Sequence, residues 1–248
     1  MHYMIAFYEP DTDFVARDGK GASEFWPAWQ TYFADLRAAG VNVGGAPLQA
    51  PRHGATVRNG DGRTVEDGPY ADTKEQLGGF VIVDVPSLDE ALTWAQRAPA
   101  ARSGAVEVRP LLPPASDEAA AMARVGADGV THVLALYEAP YHFADRDGPG
   151  AERYWSGWAA YSQALREAGV VRGGAPLRGA ETATVMRVEG GAPVVHDGPY
   201  ADTTEQLGGY LLLDVSTMDE ALEWAARCPA AWGGAVEVRP VLEVAARV

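Results

Sequence analysis

Apolar residues run almost unbroken from Tyr3 to Tyr8, a stretch of strand length. Ser23 to Ala39 then carries Phe25, Trp26, Trp29, Tyr32, Phe33 and Leu36 at helical spacing and stops at Gly40. Ala55 to Arg58 and Arg63 to Glu66 flank Asn59-Gly60-Asp61-Gly62, residue types that tolerate positive φ and so predict a hairpin. Leu77 to Val85 is a continuous apolar run, the pattern of a strand buried on both faces. Ser87 and Glu90, spaced as a capping box, open a helix through Leu88, Ala91, Leu92 and Ala95 that Pro99 ends. Ala105 to Pro110 alternates, Val106 and Val108 on one face and Glu107 and Arg109 on the other.

The same series recurs. Residues 67–110 and 197–240 share 31 identities in 44 positions at an offset of 130, and the N-terminal parts match at 129, as in Tyr8-Glu9 with Tyr137-Glu138 and Trp26 with Trp155. The second capping box is Thr217 with Glu220, and Pro229 ends its helix. Two modules are therefore expected, at 1–113 and 131–248, joined by a Pro- and Gly-bounded linker at 114–130 with an Ala-rich stretch of about two helical turns. The order β-α-β-β-α-β, with one short extra strand in the hairpin region, predicts an α+β chain of two ferredoxin-like modules. Such a sheet carries helices on one face, and a tandem copy can cover the other. The two copies are expected to pack sheet to sheet, leaving a monomeric chain that is an internal pseudo-dimer.

Composition narrows the partners. Twenty Lys and Arg against 34 Asp and Glu leave a net charge of −14, which argues against nucleic acid and anionic membranes. No apolar run has the length of a membrane span. The N-terminus lacks the pattern of a secretory signal, and the single cysteine, Cys228, precludes an intrachain disulfide, so a cytoplasmic protein is expected.

Asp-Gly-Pro-Tyr-Ala-Asp-Thr-Lys-Glu-Gln-Leu-Gly-Gly at 67–79 resembles the signature of the DGPF (DGPFAETKEQ) group of YCII-related proteins, and the likeness covers nearly all of both copies outside the linker. The resemblance implies a dimeric α+β barrel, here within one chain. It also implies a small-molecule site, in a group often associated with sigma-factor genes and with a few lyase-type or isomerase-type relatives. The active pair proposed for smaller YCII proteins is a His in the first helix and an Asp before the helix-ending Pro. Trp29 and Trp158 occupy the first position here, Ala98 and Cys228 the second, so that mechanism does not carry over.

The candidate chemistry is carboxylate chemistry. Glu9 and Glu138 end their strands at the rim of the sheet, where an acid faces either ligand or solvent. Asp67, Tyr70, Asp72 and Glu75 fall within nine residues, matched by Asp197, Tyr200 and Glu205. Neighbouring carboxylates can raise one another's pKa, and the same residue types also build an ordinary Pro-Gly turn. Glu9, Glu138, Asp67 and Asp197 are the candidate acids or bases. Tyr70, Tyr200, Glu75, Glu205, Trp26, Trp155 and the unrepeated His196 are candidate ligand contacts. The expected clefts are rimmed by Glu9 or Glu138 and by the Asp-Gly-Pro-Tyr loops, with Trp26 or Trp155 as an apolar wall. The five histidines show no metal-ligand spacing, so neither metal nor cofactor is expected. Two readings stand open: cofactor-independent acid/base catalysis of a lyase or isomerase type on a small, partly apolar substrate, and a non-catalytic ligand-binding or regulatory module.

Overall fold

Each apolar and alternating run identified above becomes a strand. The computed structural model describes residues 1–113 and 129–243, so the helical turns expected in the linker lie outside the described residues. The first copy runs β1 (His2–Pro10), α1 (Asp11–Asp18), α2 (Ala22–Ala38), β2 (Asn42–Pro47), β3 (Ala55–Arg58), β4 (Thr64–Asp67), β5 (Glu75–Asp84), α3 (Leu88–Arg97), α4 (Ala100–Ser103) and β6 (Ala105–Pro110). The second runs β7 (His132–Glu138), α5 (Pro140–Asp145), α6 (Ala151–Glu167), β8 (Val171–Pro176), β9 (Thr184–Glu189), β10 (Ala192–Asp197), β11 (Gln206–Leu213), α7 (Met218–Arg227) and β12 (Ala235–Pro240). The side chains of Ser87 and Thr217 accept from the amides of Glu90 and Glu220, satisfying amides that α3 and α7 leave open at their N-termini. Gly40, at φ 69°, ends α2 in a conformation that residues with a Cβ resist. The short helix α1, directly after β1, has no counterpart in the apolar pattern.

The strands form two six-stranded antiparallel sheets, and each hairpin sits in the sheet of the other copy. The orders are β10-β9-β6-β1-β5-β2 and β4-β3-β12-β7-β11-β8. Val106, Glu107 and Val108 of β6 pair with Met186, Val185 and Thr184 of β9. Val236, Glu237 and Val238 of β12 pair with Val57, Thr56 and Ala55 of β3. The exchange covers the edges that β6 and β12 would otherwise leave open.

Alternation divides the apolar side chains into layers. Met4, Tyr8, Leu48, Phe80 and Ile82 of the first copy join Val133, Tyr137, Leu177, Tyr210 and Leu212 of the second in one buried cluster. The opposite face of the first sheet, through Ile5, Phe7, Val81, Val83 and Val106, packs on Trp29, Tyr32 and Leu36 of α2. Leu134, Leu211 and Val236 do the same against Tyr161 and Leu165 of α6. β5 is thus buried on both faces, as its unbroken apolar run predicts. The polar face of β6 and β12 is also buried: Glu107 and Glu237 are 2% exposed and Arg109 and Arg239 0%.

Candidate functional site

The acid at the end of β1 is not a solvated rim residue. Glu9 is buried, and β5 makes room for it with a bulge: Phe7 pairs with Gly79 and Tyr8 with Leu77, so Gly78 is left opposite no partner. A Cβ at Gly78 would collide with the Glu9 carboxyl, which explains a glycine in an otherwise large-residue strand. Burial pushes the Glu9 pKa up to about 7. Arg17 of α1, with Nη1 3.8 Å from Oε2, pulls it back only in part, and nearby Asp13 adds to the rise.

Glu9 and Arg17 form the polar part of a cavity of about 590 Å3. Its walls are Phe7, Phe25, Trp26, Trp29, Phe33 and Phe80, with Arg37, Asn42 and Val43 at the α2–β2 junction. The helical aromatic stripe therefore serves twice. Trp29 and Tyr32 are core, whereas half-buried Phe25, Trp26 and Phe33 present faces to the cavity. Trp26 donates through Nε1 to the Arg17 carbonyl at 3.4 Å and, with Arg17, also borders a second hollow of about 470 Å3 between α1 and α2.

The equivalent acid of the second copy is held differently. Arg146 Nη2 donates to Glu138 Oε2 at 2.7 Å, and the hydroxyl of Tyr154 lies 3.0 and 3.1 Å from the two carboxylate oxygens. Arg146 Nε donates to the same hydroxyl at 3.0 Å, and its other nitrogens reach the carbonyls of Leu177 and Gly208. Leu136 replaces Phe7, Tyr154 replaces Phe25, Ser162 replaces Phe33, Val171 replaces Asn42, Arg172 replaces Val43 and Tyr210 replaces Phe80, so six of these nine wall positions of the first cavity differ in the second copy. Trp155 is 38% exposed and donates to the Arg146 carbonyl at 2.9 Å.

The Asp-Gly-Pro-Tyr loops do not line the cavity; they bind the copies together. The Tyr70 hydroxyl lies 2.6 Å from Glu205 Oε2, Arg58 Nη1 donates to Glu205 Oε1 at 3.1 Å, and the Tyr70 ring stacks on Tyr137 at 3.9 Å. The Tyr70 amide donates to Glu237 Oε2 at 3.1 Å. The mirrored set joins Tyr200 to Glu75, Arg187 to Glu75, and the Tyr200 ring to Tyr8 at 3.9 Å. Its amide donates to Glu107 Oε2 at 2.8 Å. Burial alone would raise Glu75 and Glu205, but hydrogen bonds from arginine and tyrosine outweigh it and hold both below the ordinary carboxylate range. These two glutamates are therefore not raised acids, contrary to what crowding in the loop suggests. Asp67, Asp197 and His196 are exposed at strand ends. Cys228 is buried, and burial pushes its thiol far up.

Arg17 and Arg146 belong to no motif in the sequence, and the alternation that places Glu107 with Arg109 and Glu237 with Arg239 on one face does not reveal that the face is buried. The available signal was the repeat itself, since Arg17 and Arg146 stand at the same offset as Glu9 and Glu138. Among the described residues, no group of three or more His, Cys, Asp or Glu is placed to hold a metal ion.

Comparison with known proteins gives three findings. The YCII-related domain family matches twice, at residues 1–114 and 132–245. The uncharacterized protein R00369 of Rhizobium meliloti (strain 1021) is 53% identical over 60 residues, which are 23% of this chain and 48% of that protein, so the match spans about half the relative's length. A heme-binding protein from Thermus thermophilus aligns in structure over 98% of this chain and 91% of its own, with a TM-score of 0.47 and 15% identity.

Proposed function

The chain belongs to the YCII-related family as a tandem duplication of its domain, and from that premise we propose that the first copy holds a small, partly apolar molecule in its aromatic cleft, with Glu9 as the acid or base that acts on it. One observation carries the reading: a buried carboxyl whose pKa is about 7 faces a cavity walled by aromatic rings. An acid poised there exchanges protons readily at neutral pH, and the aromatic wall offers an apolar ligand a surface to bind. The reaction class that fits is proton transfer of a lyase or isomerase type. The alternative is a binding or regulatory module, and the second copy favours it, because there the equivalent acid is tied to Arg146 and Tyr154.

The framework proposed for this site is two ferredoxin-like modules forming an intramolecular dimeric α+β barrel. The strand order β6-β1-β5-β2 within the first copy and the buried cluster drawn from both sheets support it. With each sheet already covered, we take the chain to be monomeric, cytoplasmic, and without nucleic-acid or membrane partners. No described helix is long and apolar enough to cross a membrane.

Native mass spectrometry of the purified protein should show a small molecule retained at one per chain. Incubating that molecule in D2O with wild type and with Glu9→Gln separates the readings. Deuterium incorporation that Glu9→Gln abolishes supports catalysis. Retention without exchange leaves a binding module, and retention that survives filling the cleft with Gly78→Leu refutes the site.

A further inference from the structure

The cleft has two polar ends. Glu9 and Arg17 meet it beside Gly78, whereas Asn42 lies on β2 opposite Val83 of the same strand β5. Five residues of β5 separate these levels, about 16 Å at roughly 3.3 Å per residue. The surface between them is apolar: Phe7, Phe33, Val43 and Phe80.

The outer end is built to donate. Arg37 stands in the last turn of α2, is exposed, and makes no ion pair among the described residues. Asn42 uses its Oδ1 to accept the Gly44 amide at 3.2 Å, which leaves its Nδ2 hydrogens for another acceptor. The second copy keeps an arginine at the first position, Arg166, but has Val171 in place of Asn42 and Arg172 in place of Val43. The apolar middle with paired donors belongs to the first copy. In a chain of net charge −14, a cleft lined by two arginines and one glutamate is locally cationic whenever Glu9 is protonated, and Glu9 when ionised repels an anion from the inner end.

From this polarity we infer that the ligand is an elongated, flat, apolar carboxylate, its anionic group held by Arg37 and Asn42 at the mouth and its far end laid against Glu9 and Arg17. The planar guanidinium suits a carboxylate, and a flat body suits the ring faces that line the cleft. The inference rests on the reading of the cleft as a ligand site.

The test uses two probes of one shape, biphenyl-4-carboxylate and biphenyl-4-carboxamide, titrated into the full chain by calorimetry at pH 8. Wild type should bind the carboxylate at least tenfold more tightly. Arg37→Gln should bring the two within about twofold, and Arg37→Lys should keep most of the preference. Arg37 is exposed, so both variants should melt with wild type. Equal binding of the probes by wild type, or a preference that survives Arg37→Gln, overturns the carboxylate assignment while the ligand site stands. Failure of both probes to bind at millimolar concentration overturns the carboxylate assignment and the ligand site together.

Discussion

The Tyr154 hydroxyl sits 3.0 Å from Glu138 Oε1, and Phe25, the residue in its place beside Glu9, has no hydroxyl to offer. That oxygen, together with an arginine at 2.7 Å rather than 3.8 Å, separates the environments of two acids that are equivalent by repeat. In the second copy the carboxylate has an arginine and a tyrosine. In the first it has an arginine contact at 3.8 Å, and a cavity beside it.

Phe25→Tyr should convert the first site toward the second. A hydroxyl donated to the ionised form of Glu9 lowers its pKa below about 7 and occupies part of the cavity. We expect the Glu9 titration, followed by carbon NMR of labelled glutamate, to fall by at least one unit. Binding of a cleft ligand should weaken at least tenfold, with little change in melting temperature. An unchanged titration would show that the ring at position 25 does not reach the acid.

The raised pKa of Glu9 also sets a pH dependence of stability. An acid whose folded pKa lies above its unfolded value stabilises the fold fully below the unfolded pKa, and that contribution is lost as pH rises through the folded one. Wild type should therefore lose up to about 3 kcal/mol between pH 4.5 and pH 7, a loss that Glu9→Gln does not share. Urea denaturation of the two proteins across this range should show their stability difference shifting toward the variant as pH rises and levelling off above pH 8. A difference that stays flat would mean that Glu9 titrates as an exposed acid.

Local signals made much of this legible, and pairing between copies did not. The capping residues Ser87 and Thr217, the stop at Gly40 and the buried run of β5 depend on nearby sequence alone. The exchange of hairpins does not, because the edges β6 and β12 read Ala-Val-Glu-Val-Arg-Pro in both copies and either could accept either hairpin. For the same reason Tyr70 and Tyr200 read as cleft residues, although each loop crosses to the other copy. Glu9 stood out as a strand-end acid. Its partner Arg17 did not, since α1 lacks the apolar periodicity of the longer helices.

Separating the copies tests the exchange. Residues 1–113 alone would leave the β6 edge open, the β3–β4 hairpin without its place beside β12, and Met4, Leu48, Phe80 and Ile82 uncovered. Such a fragment should dimerise by trading hairpins with a second fragment, giving twice the fragment mass in light scattering, or aggregate. Substituting Val57, which pairs with Val236, by Asp should block the dimer. A monodisperse, folded monomer would contradict reciprocal exchange.

The polar pairs on β6 and β12 give the sharpest stability test. Arg109 Nη1 donates to Glu107 Oε1 at 3.0 Å and Arg239 Nη1 to Glu237 Oε1 at 2.7 Å, all four residues buried, and each glutamate also accepts the amide of a tyrosine from the other copy's loop. Removing one member leaves the other charged in a poorly solvated interior, which costs about 3–5 kcal/mol, whereas replacing both with apolar groups of similar size is often near neutral. Glu107→Gln should therefore destabilise the protein far more than Glu107→Gln joined with Arg109→Met. The tyrosine amide keeps an acceptor in both, so the difference between them reports the stranded charge of Arg109. A double-mutant cycle by urea denaturation should give a coupling of at least about 2 kcal/mol. Additive effects would mean that water reaches the pair, and the two sheets would then be separable at this point rather than sealed by it.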